Sequence, residues 1–308
     1  MKTLILACDT DSLGAAHALC ARMRVEQSTG HVVSLSRLWS LRDLEKEIVS
    51  GCFESVAAMH PQAALALSRL RRSGRLVVPV LGIWSDYTCA CAWSKTLCEG
   101  YALSHPALLQ TCAQMGLPAK KLRVTGIPVY GGAGLSRSEA REKLHLPRGG
   151  HLVLIPRAHR EEIDAFLSMS DFHPQVVALC ADREVRIRLT RHYTAQPRVL
   201  IREMDAPIEL WLDACNALFT EPKAGILARA AARRVPMVLL GDSDGTAGLF
   251  GRSGMALCVQ DPRAGARAVR LLCQSTDRAC AMTRAQSLFA NSNASKNVCD
   301  WLTALTRG

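Results

Sequence analysis

Short unbroken apolar runs recur along this chain, each followed by a stretch of helical periodicity, and this alternation restricts the fold more than any other feature. In the first half the runs fall at residues 3–8, 55–59, 77–84, 101–103 and 122–124, with helical patterns at 41–49, 62–73 and 106–115. In the second half they fall at 152–155, 175–180, 199–201, 217–220, 237–240 and 256–259. A run that is apolar on both faces suits a strand of a parallel sheet, which helices cover on both sides. The alternation supplies the crossover helices that parallel strands need. The rhythm breaks at 126–134, Gly-Ile-Pro-Val-Tyr-Gly-Gly-Ala-Gly, where proline and glycine interrupt strand and helix alike. Ser136 and Glu139 then form a capping box that opens one more helix. Two α/β domains are expected, at 1–148 and 149–292, followed by an amphipathic helix within 293–308.

Charge narrows the partners. The 308 residues carry 38 Lys+Arg against 27 Asp+Glu, a net charge of +11, which favours nucleic acid, an anionic membrane surface or a phosphorylated ligand. Aromatic residues make up 5% of the chain, too few for the stacking platforms of single-stranded nucleic acid, so no nucleic-acid partner is expected. The thirteen cysteines are scattered, and Cys8, Cys20, Cys180 and Cys273 sit in apolar segments, as buried thiols of a reducing compartment do. Cys89, Cys91 and Cys98 lack the paired spacing of a zinc site, so neither a metal nor a cofactor is expected. No segment reaches the roughly 18 apolar residues that cross a bilayer. The opening run is too short for a signal peptide, and Asp9 and Asp11 follow it at once, so a buried first strand is expected and any membrane contact would be peripheral.

Two loops stand out as sites. His60-Pro61 follows one apolar run, and the helix behind it turns Leu65, Leu67 and Leu70 inward and Arg69, Arg71 and Arg72 to water, with Gly74 at its stop. The next run ends in Ser85-Asp86-Tyr87-Thr88, polar groups at the carboxyl end of a strand, where open α/β sheets bind ligands. The loop after the first strand leads through Gly14 to His17. A histidine at a helix start is either bonded to its own loop or held neutral by the positive dipole end, the state a general base requires.

These residues resemble the diacylglycerol glycosyltransferases, the monogalactosyldiacylglycerol synthases and processive diacylglycerol glucosyltransferases, which are relatives of the lipid-linked peptidoglycan glycosyltransferase. The family reads Thr-His-Pro, an Arg/Lys-rich helix, an apolar strand, then Thr-Asp followed by His and Trp. This chain has Met59-His60-Pro61, Ser85-Asp86, Ala90 and Trp93. Gly14-Ala15-Ala16-His17 stands for the family's Gly-x-Gly-His, and Thr125-Gly126-Ile127-Pro128 for its Thr-Gly-Ile-Pro. The resemblance implies a GT-B fold, two facing Rossmann-like domains with a cleft between them, and a last helix that crosses back to the first domain. It implies inverting, metal-independent transfer of a hexose from a UDP-linked nucleotide sugar to a diacylglycerol-type lipid, in glycolipid biosynthesis on the cytoplasmic face of the cell membrane. His17 would be the base, while Gly14, His60, Trp93, Arg69 and Arg72 would serve the acceptor and an anionic membrane surface; Asp86 would orient His17 or an acceptor hydroxyl, or simply cap its own loop.

The second half departs from that pattern. Pro156-Arg157-Ala158-His159 replaces a glycine-rich phosphate loop, and Arg157 would meet the phosphate by its side chain instead. Thr220-Glu221-Pro222-Lys223-Ala224 keeps Thr220 and Pro222 of Thr-Lys-Pro-Gly-Gly and moves the cation to Lys223. Arg229 stands where the family has a ribose-binding Glu, and a guanidinium accepts no hydrogen bond. The sugar loop shortens to Gly241-Asp242-Ser243-Asp244-Gly245, in which Asp242 or Asp244 holds sugar hydroxyls or simply forms a polar turn. Two readings stand: a transferase with a redrawn donor site, or a weak or inactive relative acting as a peripheral membrane or ligand-binding protein.

Overall fold

The computed structural model describes residues 1–35, 40–131, 134–203, 207–241, 245–291 and 293–307. The chain forms two compact units, one of Met1–Gly132, Ala224–Ala228 and Asn291–Gly308, the other of Ala133–Lys223 and Arg229–Ala290.

The first unit runs β1 (Lys2–Ala7), α1 (Thr10–Val25), β2 (Thr29–Ser34), α2 (Leu41–Ser50), β3 (Ser55–Ala58), α3 (Pro61–Arg72), β4 (Val80–Ile83), a 3-10 turn over Cys91–Lys95, β5 (Gly100–Leu103), α4 (Leu108–Gln114) and β6 (Leu122–Val124). Its six strands are parallel in the order β2-β1-β3-β4-β5-β6. β1 pairs with β2 from Lys2↔Thr29 to Ala7↔Ser34, and with β3 from Thr3↔Ser55 to Leu6↔Ala58. Leu4, Leu6, Val56, Ala58, Val80, Leu67, Leu70 and Trp84 meet in its core.

The second unit runs α5 (Arg137–Lys143), β7 (Leu152–Pro156), α6 (Arg160–Leu167), β8 (Gln175–Cys180), α7 (Arg183–His192), β9 (Val199–Glu203), α8 (Ile208–Ala214), β10 (Ala217–Thr220), α9 (Ala224–Ala232, of which Ala224–Ala228 group with the first unit), β11 (Met237–Leu240), α10 (Thr246–Arg252), β12 (Leu257–Val259), α11 (Pro262–Gln274) and α12 (Thr276–Phe289). The sheet order β12-β11-β10-β7-β8-β9 repeats the plan of the first unit. The two Rossmann-type sheets expected from the alternation are both present, and the local signals that placed them are visible. Pro61 opens α3, and Gly74 at φ +71 follows its end.

Three details differ from the sequence reading. β2 carries no long apolar run, since it is an edge strand with one side partly exposed, and the pattern search passes over it. β4 begins at Val80 and not at residue 77, and Val77 is 89% exposed. Proline at 79 has no N–H for a ladder, although its carbonyl still accepts from Val56. The units also divide ahead of α5 and not behind it. Arg141 on α5 is 2% exposed, and it donates to the carbonyls of Ala214 at 3.0 Å and Arg148 at 2.9 Å and to Asn216 Oδ1 at 2.7 Å. A buried guanidinium so fully bonded fixes α5 to the second unit.

The last helix, α13 (Ala294–Arg307), belongs to the first unit. Ser295 Oγ donates to the Val129 carbonyl at 2.9 Å, and the Arg123 guanidinium lies 4.6 Å over the Trp301 ring. Trp301 packs on β5 at Gly100, where an added Cβ would stand 2.4 Å from the indole. Gly100→Ala is expected to destabilise the first unit by about 1–3 kcal/mol through overpacking, read as a lower urea midpoint at unchanged slope.

Candidate active site

In the first unit, β1 lies between β2 and β3, so the chain leaves β1 for one side of the sheet and returns on the other. The loops leaving β1 and β3 therefore diverge and open a crevice at the carboxyl ends of the strands. A cavity of about 110 Å³ sits there. It is lined by Asp9 and Asp11 after β1, by Met59, His60 and Pro61 after β3, and by Trp84, Ser85, Asp86 and Thr88 after β4. Trp93 closes one wall.

Capping chemistry places the polar groups. Asp9 is the N-cap of α1, its Oδ1 accepting from the Ser12 N–H at 2.7 Å, while Ser12 Oγ accepts from the Asp9 and Cys8 N–H groups at 3.0 Å. His60 is the N-cap of α3, its Nδ1 accepting from the Gln62 N–H at 3.2 Å. That bond leaves Nδ1 without a proton, so the neutral ring carries its hydrogen on Nε2, which faces Asp9 Oδ2 at 3.7 Å. Burial holds the imidazole below its usual range, and the charges of Asp9 and Asp86 oppose that shift. Asp86 is held by its own turn, Oδ1 accepting from the Tyr87 N–H at 2.6 Å. Ser85 Oγ donates to the Met59 carbonyl at 2.9 Å and ties this loop to the end of β3.

Trp93 stacks on Trp84 with centroids 5.5 Å apart and turns an edge to Tyr101. An added Cβ at Gly82 in β4 would lie 2.8 Å from the Trp93 ring, so glycine makes that approach possible. Trp84 is 1% exposed, and its Nε1 has no hydrogen-bond partner among the described residues.

His17 is not where the sequence reading put it. Asp9 starts the helix at Thr10, so Gly14 and His17 lie within α1, and His17 is exposed two turns in and absent from the cavity lining. The dipole of a helix acts within its first turn, so the reason given for a neutral base does not reach His17. The groups that β1 delivers to the cavity are Asp9 and Asp11. A capping pair Asp-x-x-Ser directly after an apolar strand was the available signal for them. The basic segment also differs from expectation. Arg71 pairs with Glu99 and donates to the Val78 carbonyl, Arg75 pairs with Glu45 at 2.9 Å, and Arg72 donates to the Lys95 carbonyl at 3.0 Å. Arg69 remains exposed.

The second unit has its own reversal, between β7 and β10, which pair directly. It sets the carboxyl ends of β7 and β10 side by side, the first leading through Pro156 to Arg157 and the second through Thr220 to Pro222 and Lys223. Arg157 sits at φ +55, the left-handed region that glycine favours, so the turn of a glycine loop persists beneath a different side chain. Thr220 and Pro222 are buried, and Lys223 is the exposed N-cap residue of α9. Arg229 Nε lies 3.6 Å from Glu209 Oε1 on α8, an ion pair that occupies the guanidinium. The sequence reading missed Glu162, a buried carboxyl near His159 and Glu221 whose pKa burial raises. Asp242 and Asp244 lie outside the described residues.

Residues 23–129 match the family described as monogalactosyldiacylglycerol (MGDG) synthase, a stretch that holds His60, Pro61, Asp86 and Trp93 and begins beyond His17. A processive diacylglycerol beta-glucosyltransferase of Staphylococcus saprophyticus is 23% identical over 220 residues, 67% of this chain and 56% of that protein. The chain spans about half the length of the curated relatives it matches. Among solved structures, Staphylococcus aureus MnaA in a co-structure with UDP aligns with a TM-score of 0.71 at 14% identity, covering 97% of this chain and 94% of that one. Acinetobacter baumannii MurG aligns with a TM-score of 0.70 at 12% identity, covering 98% and 99%. The fold is that of the GT-B class.

The His60 cap generates a test. An imidazole held below its usual range binds fewer protons in the folded than in the unfolded chain, so stability falls as pH drops through the ordinary histidine value of 6.5. His60→Asn keeps a capping oxygen and removes this titration. The variant is expected to lose less thermal stability than wild type between about pH 7 and pH 5, and equal losses would show that His60 does not carry the effect.

Proposed function

We propose, from its kinship with the diacylglycerol glycosyltransferases, that this chain transfers a hexose from a nucleotide sugar, UDP-linked, to the hydroxyl of a diacylglycerol-type lipid with inversion at the anomeric carbon. One observation carries the reading. The cavity at the sheet reversal of the first unit gathers His60, Pro61, Asp86 and Trp93, which lie in the stretch that matches the family, and adds two carboxylates after β1. At about 110 Å³ it suits a hydroxyl-bearing head and not acyl chains, since sites for drug-sized ligands run to roughly 300–1,000 Å³.

The histidine and the acids take different parts. His60 is a fixed Nε2–H donor, which orients a carboxylate or the acceptor oxygen and does not take a proton while neutral. The acceptor proton passes to a carboxylate after β1, Asp9 or Asp11, as the C–O bond to the sugar forms and the diphosphate leaves. Asp9→Asn preserves the helix cap, because Asn and Asp cap equally well. At least one of Asp9→Asn and Asp11→Asn is expected to lower turnover by about 10²–10⁴-fold, while His17→Ala retains wild-type turnover. Loss of activity on changing His17, with both Asn variants intact, would return the base to His17.

On the donor side, Arg157 and Lys223 are the cations suited to the diphosphate, and Thr220 and Pro222 shape the loop between them. Arg229, paired to Glu209, accepts nothing from ribose hydroxyls. Losing a hydrogen bond to a charged acceptor costs about 1.5–3 kcal/mol, or roughly 10- to 100-fold in affinity. Calorimetry is expected to show UDP binding weaker by that factor than in a relative that keeps the ribose carboxylate; equal affinity would mean that another group holds the ribose. No helix among the described residues is long and apolar enough to cross a membrane. The lipid acceptor is reached by peripheral contact with an anionic membrane surface, placed at the cytoplasmic face of the cell membrane.

A further inference from the structure

A groove of about 700 Å³ opens on the second unit. Arg160 of α6 and Ile187, Arg188, Arg191 and His192 of α7 line it, with Leu189 as a buried floor. Residues 187 and 191, and 188 and 192, are four apart, and 188 and 191 are three apart, so these side chains neighbour one another along the helix. Arg160 is held by Asp164 at 3.2 Å, and Arg186 on the neighbouring face is held by Glu203 at 2.7 Å. The guanidinium groups of Arg188 and Arg191 have no partner among the described residues, and Ile187, which lines the same groove, is 37% exposed. Glu184 lines the same groove, and its carboxylate leaves the lining strongly positive in sum.

This face contrasts with residues 69–75, whose arginines are largely spent on Glu99, Glu45 and backbone carbonyls of their own unit. A paired guanidinium has little charge left to offer a surface, whereas an unpaired one attracts anions at full strength. An exposed isoleucine amid such arginines adds an apolar contact at the level of lipid head groups.

We propose that the α6–α7 groove of the second unit is where the chain docks on an anionic bilayer, with Arg188 and Arg191 against lipid phosphates and Ile187 between the head groups. The proposal deepens the membrane contact of the function given above, and it does not depend on sugar transfer. Each basic residue near an anionic surface contributes about 1 kcal/mol, roughly fivefold in partition. The test is co-sedimentation of the purified chain with vesicles of phosphatidylcholine alone and of phosphatidylcholine with phosphatidylglycerol, with neither donor nor acceptor present. Wild type is expected to bind the anionic vesicles in preference. R188A/R191A is expected to lower that binding about 30-fold, and R69A/R72A to change it less than about threefold. Alanine suits an exposed helix, and an unchanged thermal midpoint checks that each variant is folded. Wild-type binding by R188A/R191A, equal binding to neutral vesicles, or no binding at all overturns the proposal. So does release from vesicles by millimolar inorganic phosphate or glycerol phosphate, which would make the groove a site for a free phosphate compound, and so does preference for an RNA oligomer. Because no sugar is transferred in this assay, a failed transferase reading leaves its result standing.

Discussion

The pairing of β1 on both edges, with β2 on one side and β3 on the other, is the constraint on which the candidate site rests. A parallel strand must be followed by a crossover, and successive crossovers that leave in opposite directions cannot both cover the carboxyl end of the sheet. The gap between them is where Asp9, Asp11 and His60 meet, although fifty residues or so separate them in sequence. The second unit repeats the device at β7 and β10, and there the gap receives Arg157 and Lys223. One unit thus presents acids and a histidine, the other cations, each at its own reversal.

At the first reversal the same side chains cap helices and line the cavity. Asp9 satisfies the first turn of α1 and His60 the first turn of α3. Capping fixes where these groups point, and it also spends one acceptor of each. For His60 the spent acceptor is Nδ1, which settles the tautomer and makes the ring a donor. Burial then keeps the ring neutral against the pull of two nearby carboxylates. The chemistry left to the pocket is a donor imidazole among acids, a different arrangement from a histidine base.

Excess charge is likewise a matter of pairing more than of count. A net charge of +11 says that the surface is basic. Four arginines between 69 and 75 look like its focus, yet ion pairs and carbonyls of the first unit absorb most of them. Arg188 and Arg191 sit in a stretch with a neighbouring Glu184 and draw less notice in a sequence, but their guanidinium groups keep their charge.

Much of the fold was legible in the sequence because its signals are local. Continuous apolar runs mark strands buried on both faces, and Pro61, Gly74 and the Ser136–Glu139 box mark helix ends through the bonds of adjacent residues. The edge strand β2 escaped because an edge needs no apolar run. The sequence also held His60, Pro61, Asp86 and Trp93, which lie between residues 60 and 93 and converge on one cavity. The Asp9–Ser12 cap that starts α1 at Thr10 and carries His17 two turns away is a local signal of the same kind, present in the sequence as Asp-x-x-Ser after an apolar strand. The sequence could not show that Glu209 claims Arg229 or that Glu99 claims Arg71, since these partners are brought together by packing across elements. Periodicity and capping act over a few residues and are written in the sequence; tautomers, ion pairs and the free charge that remains arise from contacts between distant residues, and only the tertiary structure decides them.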